Sequence, residues 1–217
     1  MKKLRIGVFA YNWPHLKTQT GILNLCASGF KPDVVIGADP VDLNFYKSKI
    51  RVAPKGLYIN DTRKLCDLFE INYKVMIHNS VDCANLIKDL NLDIGVILGA
   101  RILKKEIIDS FNVGIINMHP GLLPENRGLD NLKWAVIKNI KQGVTSHFIN
   151  SKIDMGKMIL KEEIKVYSDD TLVDIHLRLQ SKEQELMIKS LEKIEGADIL
   201  SSLETLDSGN NYHRSVP

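Results

Sequence analysis

An asparagine and a histidine stand two residues apart at the end of an apolar run, in Ile115-Ile116-Asn117-Met118-His119-Pro120. In an extended strand, side chains two residues apart point to the same face, and Pro120 cannot continue the backbone pairing. The amide of Asn117 and the imidazole of His119 are therefore presented together at the carboxyl end of a strand, where open α/β sheets bind ligands. Taken alone, the pair also fits polar residues that meet a turn.

A carboxylate follows 35 residues after the histidine, at Asp154 in Ile153-Asp154-Met155-Gly156. An amide N–H can donate to a developing oxyanion, and an imidazole can exchange a proton near neutral pH. A carboxylate can hold that imidazole in one tautomer and relay protons through water. Asp154 next to Gly156 also fits an ordinary turn. Together the three residues supply the groups that acyl transfer to an amine needs.

Apolar runs alternate with segments of helical periodicity in the part of the chain that precedes residue 142. Strands that alternate with helices predict right-handed crossovers and a parallel sheet. The predicted strands are Ile6 to Ala10, Val34 to Gly37, Val75 to His78, Ile94 to Gly99 and Gly114 to Met118. The predicted helices are Gln19 to Ala27, Thr62 to Phe69, Asp82 to Leu90 and Asn131 to Ile140.

After residue 142 the pattern changes to two strands, Val144 to Asn150 and Met158 to Val166, joined by the segment that holds Asp154. A long helix follows, capped at Asp170-Thr171 and extending to about Ile194. The polar remainder predicts a short strand and a loose tail. We therefore expect a catalytic domain over residues 1–194 and a short C-terminal extension over residues 195–217.

Four ordered segments resemble the signature of the folate-dependent formyltransferases. They are residues 93–103, 117–128, 143–149 and 154–156. The resemblance implies an α/β Rossmann-like formyltransferase fold, a mostly parallel sheet flanked by helices, with a β-hairpin and a long helix in the C-terminal part. It also implies an enzyme, a one-carbon group transferase that uses 10-formyltetrahydrofolate as co-substrate.

The resemblance assigns catalysis to Asn117, His119 and Asp154. It implies that the loop after Gly99 binds the pterin of the folate largely through main-chain groups. The residues expected at the folate are Ala100, Arg101, Ile102, Leu103, His147, Ile149 and Ile153. For His147 a hydrogen-bonded structural role is the alternative. The histidines and cysteines lack metal-ligand spacing, so no metal site is expected.

The first loop, Tyr11 to Gly21, departs from the glycine-rich phosphate cradle of glycinamide ribonucleotide formyltransferases. The segment after residue 194 is also too short for the C-terminal domain with which methionyl-tRNA formyltransferases hold tRNA. Arg127-Gly128 followed by Trp134-Ala135 resembles the sugar N-formyltransferases more closely. These departures favour a nucleotide-linked amino sugar, a precursor of surface polysaccharide, as the acceptor.

The residues expected to bind this acceptor are Tyr11, Trp13, Lys17, Thr18 and Arg127. Lys17 lies between the first strand and the first helix, where its ammonium and the free helix amides are predicted to face a phosphate. A helix cap beside a solvated lysine is the alternative interpretation of this loop.

Three other functions stay open from the sequence. The chain fits a glycinamide ribonucleotide or other small-amine formyltransferase, a formyltetrahydrofolate hydrolase that uses water as acceptor, or a non-catalytic folate- or nucleotide-binding module. A non-catalytic module would be expected to lack one of the three candidate catalytic residues. A hydrolase of this type would carry an additional N-terminal regulatory domain.

The charge balance, 29 basic against 26 acidic residues for a net +3, argues against a nucleic-acid surface because the lysines are scattered. The apolar stretch near the N-terminus is too short for a signal peptide, and no run of eighteen apolar residues occurs. We therefore expect a cytoplasmic protein that binds small molecules and neither nucleic acid nor membrane. A homodimer is left open.

Overall fold

The computed structural model describes residues 3–41, 48–152, 154–196, 201–206 and 212–216. A mixed sheet lies at its centre, with the strand order β3-β2-β1-β4-β5-β7-β8-β9. The strands are β1 Ile6–Tyr11, β2 Val34–Ala38, β3 Asn72–Val75, β4 Ile94–Ile97, β5 Gly114–His119, β6 Arg127–Gly128, β7 Gly143–Ile149, β8 Gly156–Glu163, β9 Thr205–Leu206 and β10 Tyr212–His213. The helices are α1 Leu16–Ala27, α2 Thr62–Leu68, α3 Val81–Asp89, α4 Lys105–Ile108, α5 Asn131–Ile137 and α6 Leu172–Gly196.

The first five strands of the sheet order, β3 to β5, are parallel, and their β-branched side chains are buried on both faces of the central strands. Helices α1, α2 and α6 pack on one face, while α3 and α4 pack on the other. In the strand order, β2 lies on one side of β1 and β4 on the other. The strand order therefore reverses at β1, and the carboxyl ends of β1 and β4 flank a crevice. Among the described helices, none has both the length and the apolar composition to cross a membrane.

The second part of the sheet is antiparallel, as the sequence pattern predicted. β7 pairs with β5, so that Asn117 lies opposite His147, and β8 returns along β7 as a hairpin. The hairpin turn carries Asp154 back to the end of β5. The predicted α/β fold, with its mostly parallel sheet, hairpin and long helix, is confirmed.

Several predicted boundaries are wrong. The third strand is Asn72–Val75 instead of Val75 to His78, because it is a polar edge strand whose side chains are only half-buried or exposed. His78 has left the sheet, and its Nε2 lies 3.0 Å from the carbonyl oxygen of Ile36. The second hairpin strand begins earlier, at Gly156, which pairs with Ile149. Helix α4, of four residues, has too little periodicity to be predicted.

The short strand predicted in the C-terminal remainder is β9, Thr205–Leu206, at the edge of the sheet beside β8. The segment after it is more ordered than predicted. Tyr212–His213 forms β10, which pairs in parallel with β6. The described part of the predicted loose tail therefore packs against the body of the protein.

Candidate active site

Asn117 is the first side chain of the candidate site and lies on β5. Its Nδ2 is 3.3 Å from Nε2 of His147, its neighbour on β7. His147 is wholly buried, and its Nδ1 is 3.2 Å from the carbonyl oxygen of Phe148. Since a carbonyl can only accept, a neutral His147 carries its proton on Nδ1 and accepts from the amide at Nε2. The amide is thereby oriented, with its second N–H available to a substrate oxygen.

His119 lies two residues further along β5 and is 3% exposed. Its Nε2 is 2.8 Å from the carbonyl oxygen of Asn126, and its Nδ1 is 3.2 Å from Oδ1 of Asp154. Both partners are acceptors, so a proton on either ring nitrogen of His119 has an oxygen to donate to. A Cβ at Gly121 would lie 2.6 Å from the Asn126 carbonyl oxygen and 3.0 Å from Nε2 of His119. Glycine at this position lets the two groups meet.

Asp154 reaches His119 because of the turn between β7 and β8. Its backbone is left-handed, with φ at 50°, a conformation that Asp adopts more readily than most residues. Gly156 closes the turn with φ at 120°, where a Cβ would lie 2.0 Å from a backbone oxygen of β7. The Asp-x-Gly spacing seen in the sequence is therefore a requirement of this turn.

Two residues of β6 hold Asp154 from behind. The N–H of Gly128 donates to its Oδ2 at 2.8 Å, and Nε of Arg127 donates to its carbonyl oxygen at 3.1 Å. Arg127 is 3% exposed. Arg127 thus contacts the turn that carries the carboxylate. Its contact with the acceptor stays a prediction.

Two groups of the site, Asp154 and His147, have pKa values below their usual ones. Burial alone would raise the pKa of Asp154, but the hydrogen bond and charge of His119, with the N–H of Gly128, more than offset burial and lower that pKa. Burial, followed by the charge of His119, lowers the pKa of His147 to about 4. At neutral pH the site thus holds the carboxylate of Asp154 against the imidazole of His119, beside a neutral amide and the neutral imidazole of His147. Such a set can stabilise an oxyanion and exchange one proton.

The loop predicted to bind the pterin follows β4. The carbonyl of Ala100 accepts from the Tyr11 hydroxyl at 3.1 Å, and the carbonyl of Ile102 accepts from the Asn79 amide at 2.9 Å. In the described part of the chain, the N–H groups of residues 100–103 meet no hydrogen-bond acceptor. These donors fit main-chain binding of a ligand, which stays a prediction. Arg101 is half-buried.

The remaining residues expected at the folate divide into three cases. Ile149 is half-buried and packs in the same cluster as Ala100 and Leu103. His147 has no exposed surface, which fits the structural alternative, and its contact with folate stays a prediction. Ile153 lies outside the described residues.

Replacing Ile102 with proline is expected to weaken folate binding about tenfold or more, because it deletes one of the loop N–H groups and fixes φ. Ile102 is 66% exposed, so its side chain contributes little packing, whereas Leu103 is buried and a proline there would disturb the core. Ile102→Ala and Arg101→Ala are the matched controls and should each change affinity by about threefold or less. Calorimetric titration with a stable folate analogue measures this. Equal losses for Ile102→Pro and Ile102→Ala would contradict main-chain binding.

A cavity of about 580 Å³ opens beside Pro120, the residue that follows His119. Its walls are the loop after β1, residues 52–59, the start of α5 and one face of α6. Small-molecule sites commonly have this volume.

Burial and the charge of Lys17 lower the pKa of His15 to about 4, and burial lowers the pKa of His176 against the charge of Glu183. Both imidazoles line the cavity, and both are neutral at pH 7.

The charged groups of the cavity are paired. Nζ of Lys17 lies 2.7 Å from Oε1 of Glu183, and Nζ of Lys133 lies 2.9 Å from Oδ1 of Asp130. Glu183 and Lys133 are each about 6% exposed as side chains. These four charged side chains of the cavity therefore form two ion pairs without net charge.

Lys17 is held by two partners. Besides Glu183, its Nζ donates to the carbonyl oxygen of Met118 at 3.2 Å, between Asn117 and His119. Glu183 pairs with this ammonium, and the contact of the ammonium with a phosphate of the acceptor stays a prediction. Lys17 connects α1 to α6 and to the end of β5.

The other residues of the first loop differ in their exposure. Tyr11 and Trp13 stack with centroids 4.2 Å apart and planes 10° apart, and both are half-buried. Their contact with the acceptor stays a prediction. Thr18 is 1% exposed, and its Oγ1 lies 2.9 Å from Nδ1 of His15. Its contact with the acceptor also stays a prediction.

Removing the Lys17 ammonium is expected to destabilise the fold by about 2–3 kcal/mol, because it leaves the carboxylate of Glu183 buried without its partner. The variant Lys17→Met keeps most of the aliphatic chain. Lys141, whose pair with Glu163 is exposed, is the matched control, and Lys141→Met should cost about 0.5 kcal/mol or less. Urea unfolding measures both. Lys17→Met with Glu183→Gln should recover part of the loss, and equal stabilities of the two single lysine variants would contradict the assignment.

Sequence reasoning missed Asn126 and Glu183. Asn126 acts through its main-chain carbonyl, which no side-chain pattern reveals. Glu183 had a detectable signal, because it continues the apolar face of α6 four residues after Leu179 and is followed on that face by Leu186 and Met187. A carboxylate at such a position needs a buried partner.

Comparisons with known proteins agree with this geometry. A family model described as formyl transferase matches residues 67–191. The methionyl-tRNA formyltransferase of Flavobacterium johnsoniae is 34% identical over 119 residues, which are 54% of this chain and 38% of that protein. The chain thus spans well under half the length of this relative.

Two solved structures share the fold. Glycinamide ribonucleotide transformylase 1 from Symbiobacterium toebii superposes with a TM-score of 0.70 at 22% identity, covering 94% of each chain. A sugar N-formyltransferase from a Shewanella species superposes with a TM-score of 0.64 at 20% identity, covering 98% of this chain and 77% of that one.

Proposed function

Since this chain belongs to the formyl transferase family, we propose that it moves a formyl group from 10-formyltetrahydrofolate to the primary amine of an amino sugar. The observation that carries the proposal is the geometry at the end of β5. There an oriented amide and an imidazole paired with Asp154 lie next to a cavity that can admit an acceptor.

The proposed reaction assigns one task to each group. The acceptor amine attacks the formyl carbon, a C–N bond forms, and the carbonyl oxygen becomes an oxyanion. The free N–H of Asn117 and the charge of His119 stabilise that oxyanion. The bond from the formyl carbon to the folate nitrogen then breaks, the amine loses a proton and the folate nitrogen gains one. His119, with Asp154 behind it, supplies or collects these protons.

The charge of the cavity supports the proposed acceptor class. A phosphate would favour unpaired cations or a cluster of free backbone N–H groups, whereas the cavity's ammonium groups, Lys17 and Lys133, are already matched by carboxylates. Neutral imidazoles and paired polar groups suit the hydroxyl groups of a sugar. The cavity is therefore proposed to hold the sugar that bears the amine.

A nucleotide carrier is proposed to extend from the sugar to the outside of the cavity. The half-buried Trp13, stacked on Tyr11, provides an aromatic surface next to the cavity residues Pro14 and His15. Aromatic faces bind nucleobases by stacking. This places the nucleotide linkage away from the reacting amine.

Incubation with 10-formyltetrahydrofolate and a panel of acceptors tests the proposal. The panel comprises nucleotide-linked amino sugars, free amino sugars and glycinamide ribonucleotide, and mass spectrometry detects the formyl adduct. We expect an adduct on a nucleotide-linked amino sugar, absent when the donor is omitted. A glycinamide ribonucleotide adduct would assign the purine substrate, and formate release without any adduct would assign a hydrolase. Folate binding without either product would overturn an enzymatic function.

A further inference from the structure

The last described segment, residues 212–216, lies on the loop between β5 and α5. Tyr212 and His213 pair in parallel with Arg127 and Gly128. The N–H of Leu129 also donates to the carbonyl of His213, at 2.9 Å. In this loop, Arg127, Gly128 and Leu129 thus each have a main-chain neighbour more than 80 positions away along the chain.

Side chains strengthen this contact beyond the two short strands. Nε1 of Trp134 donates to the carbonyl of Arg214 at 2.6 Å, and the Trp134 ring lies over His213 with centroids 5.1 Å apart. Val216 is 5% exposed, and its N–H donates to Oδ2 of Asp130 at 2.9 Å. The segment is therefore bound by its backbone, by one indole and by one carboxylate.

Gly128 joins this segment to the catalytic carboxylate. Its N–H donates to Oδ2 of Asp154 at 2.8 Å, while its backbone pairs with His213 on the other side. A Cβ at Gly128 would lie 2.2 Å from the carbonyl oxygen of His213, and its φ is 94°. The backbone of Gly128 is thus fixed between the C-terminal segment and Asp154.

Asp130 joins the same segment to the cavity. Its Oδ2 accepts from the N–H of Val216, and its Oδ1 accepts from Nζ of Lys133 at 2.9 Å. Asp130 and Lys133 both line the cavity. One wall of the proposed acceptor site is therefore held by a residue that the C-terminal segment anchors.

We infer that residues 212–216 are a positioning element, which sets Asp154 through Gly128 and the cavity wall through Asp130. A two-residue strand such as β6 is not stable without a partner, and loops with few buried contacts open readily. Without the segment, the N–H of Gly128 would no longer hold the carboxylate of Asp154 in place. The imidazole of His119 would then lose a partner of fixed position. The inference rests on the proposed function for its effect on turnover, but not for its effect on the structure of the loop.

Three variants test the inference. A chain ending at Leu206 removes the segment, and Trp134→Phe removes the indole donor while keeping an aromatic ring. Tyr212→Thr is the control, since the Tyr212 side chain is 47% exposed and its role is in the backbone pairing. Formyl transfer with the identified acceptor gives kcat and KM, calorimetry gives folate affinity, and amide hydrogen exchange reports on the N–H of Gly128.

For the shortened chain we expect kcat to fall about tenfold to 100-fold, with folate affinity changed by about twofold or less, because a misplaced catalytic group affects turnover and not donor binding. Exchange at Gly128 should accelerate about tenfold or more, while amides of β1 stay protected. Trp134→Phe should lower kcat and accelerate exchange at Gly128 by smaller factors, and Tyr212→Thr should match the wild type in both.

Unchanged exchange at Gly128 in both the shortened chain and Trp134→Phe would overturn the inference. So would faster exchange with kcat within about twofold of wild type, which would make the segment a packing element alone. If the wild type formylates no acceptor, the proposed function fails, and exchange at Gly128 still decides whether the segment fixes the loop. A shortened chain that does not fold leaves Trp134→Phe as the deciding variant.

Discussion

Replacing either Asn117 or His119 with alanine is expected to lower kcat by about 100-fold or more. Loss of the amide removes a donor to the oxyanion, which costs on the order of 100- to 1000-fold in comparable sites. Loss of the imidazole removes both the charge beside the oxyanion and the proton exchange, worth about 100- to 10000-fold. Folate affinity should be preserved, because the proposed folate contacts lie in the loop after β4.

The double variant distinguishes a joint role from two separate ones. Both side chains act on one proposed intermediate, so the double variant should be little worse than the poorer single variant. Steady-state kinetics measures this, with circular dichroism and folate titration as controls for folding. The substitution His147→Gln offers a second check, since its amide can still accept from Asn117, and it should cost less than Asn117→Ala. Turnover within about threefold of wild type in either single variant would exclude the assigned role.

Asp154→Asn is expected to lower kcat by about 100- to 10000-fold while the protein stays folded, because Asn accepts the left-handed backbone of this turn and can still accept from Gly128. The amide has no charge with which to stabilise His119 when it takes a proton, and its NH2 group, if it faces Nδ1, donates where the carboxylate accepted. Steady-state kinetics, with Glu at position 154 as the charge-preserving comparison, measures the loss. Asp154→Asn turnover close to wild type would show that the charge of the carboxylate is not used.

We also expect Asp154→Asn to change how the stability of the protein depends on pH. The pKa of Asp154 is lower in the folded protein than its usual value, so its contribution to stability is present above about pH 4 and is lost as the pH falls through the folded pKa. The difference in unfolding free energy between wild type and Asp154→Asn should therefore shrink below about pH 4. Urea unfolding at pH 7 and at lower pH measures it. A difference that grows with acidity would contradict the direction of the pKa shift.

Much of the fold and the central residues of the site could be predicted from the sequence. Alternation of apolar runs and helical periodicity gave the parallel α/β core, because both patterns reflect which faces of each element are buried. The spacing of Asn117 and His119 put both on one face of β5, and the turn residues of Asp154-x-Gly156 matched a hairpin. These features depend on residues close together in the chain.

The roles of several predicted residues depended on contacts between distant parts of the chain. His147 proved to be a buried partner of Asn117, because the register of β5 and β7 placed it there, and Arg127 proved to donate to the carbonyl of Asp154. Lys17 was neutralised by Glu183, which is 166 positions away. A local pattern shows that a side chain is polar but not which charge meets it after folding.

Which chemical groups this protein brings to the end of β5 could be predicted without a structure, because residue type and strand periodicity are local properties. How those groups are held depends on contacts that exist only in the folded chain. The tertiary structure set the hydrogen bonds at both nitrogens of His119, the charge balance of the cavity and the docking of residues 212–216 onto Gly128 and Trp134. These contacts form between segments up to 166 positions apart, and their partners are chosen by packing and desolvation rather than by local pattern.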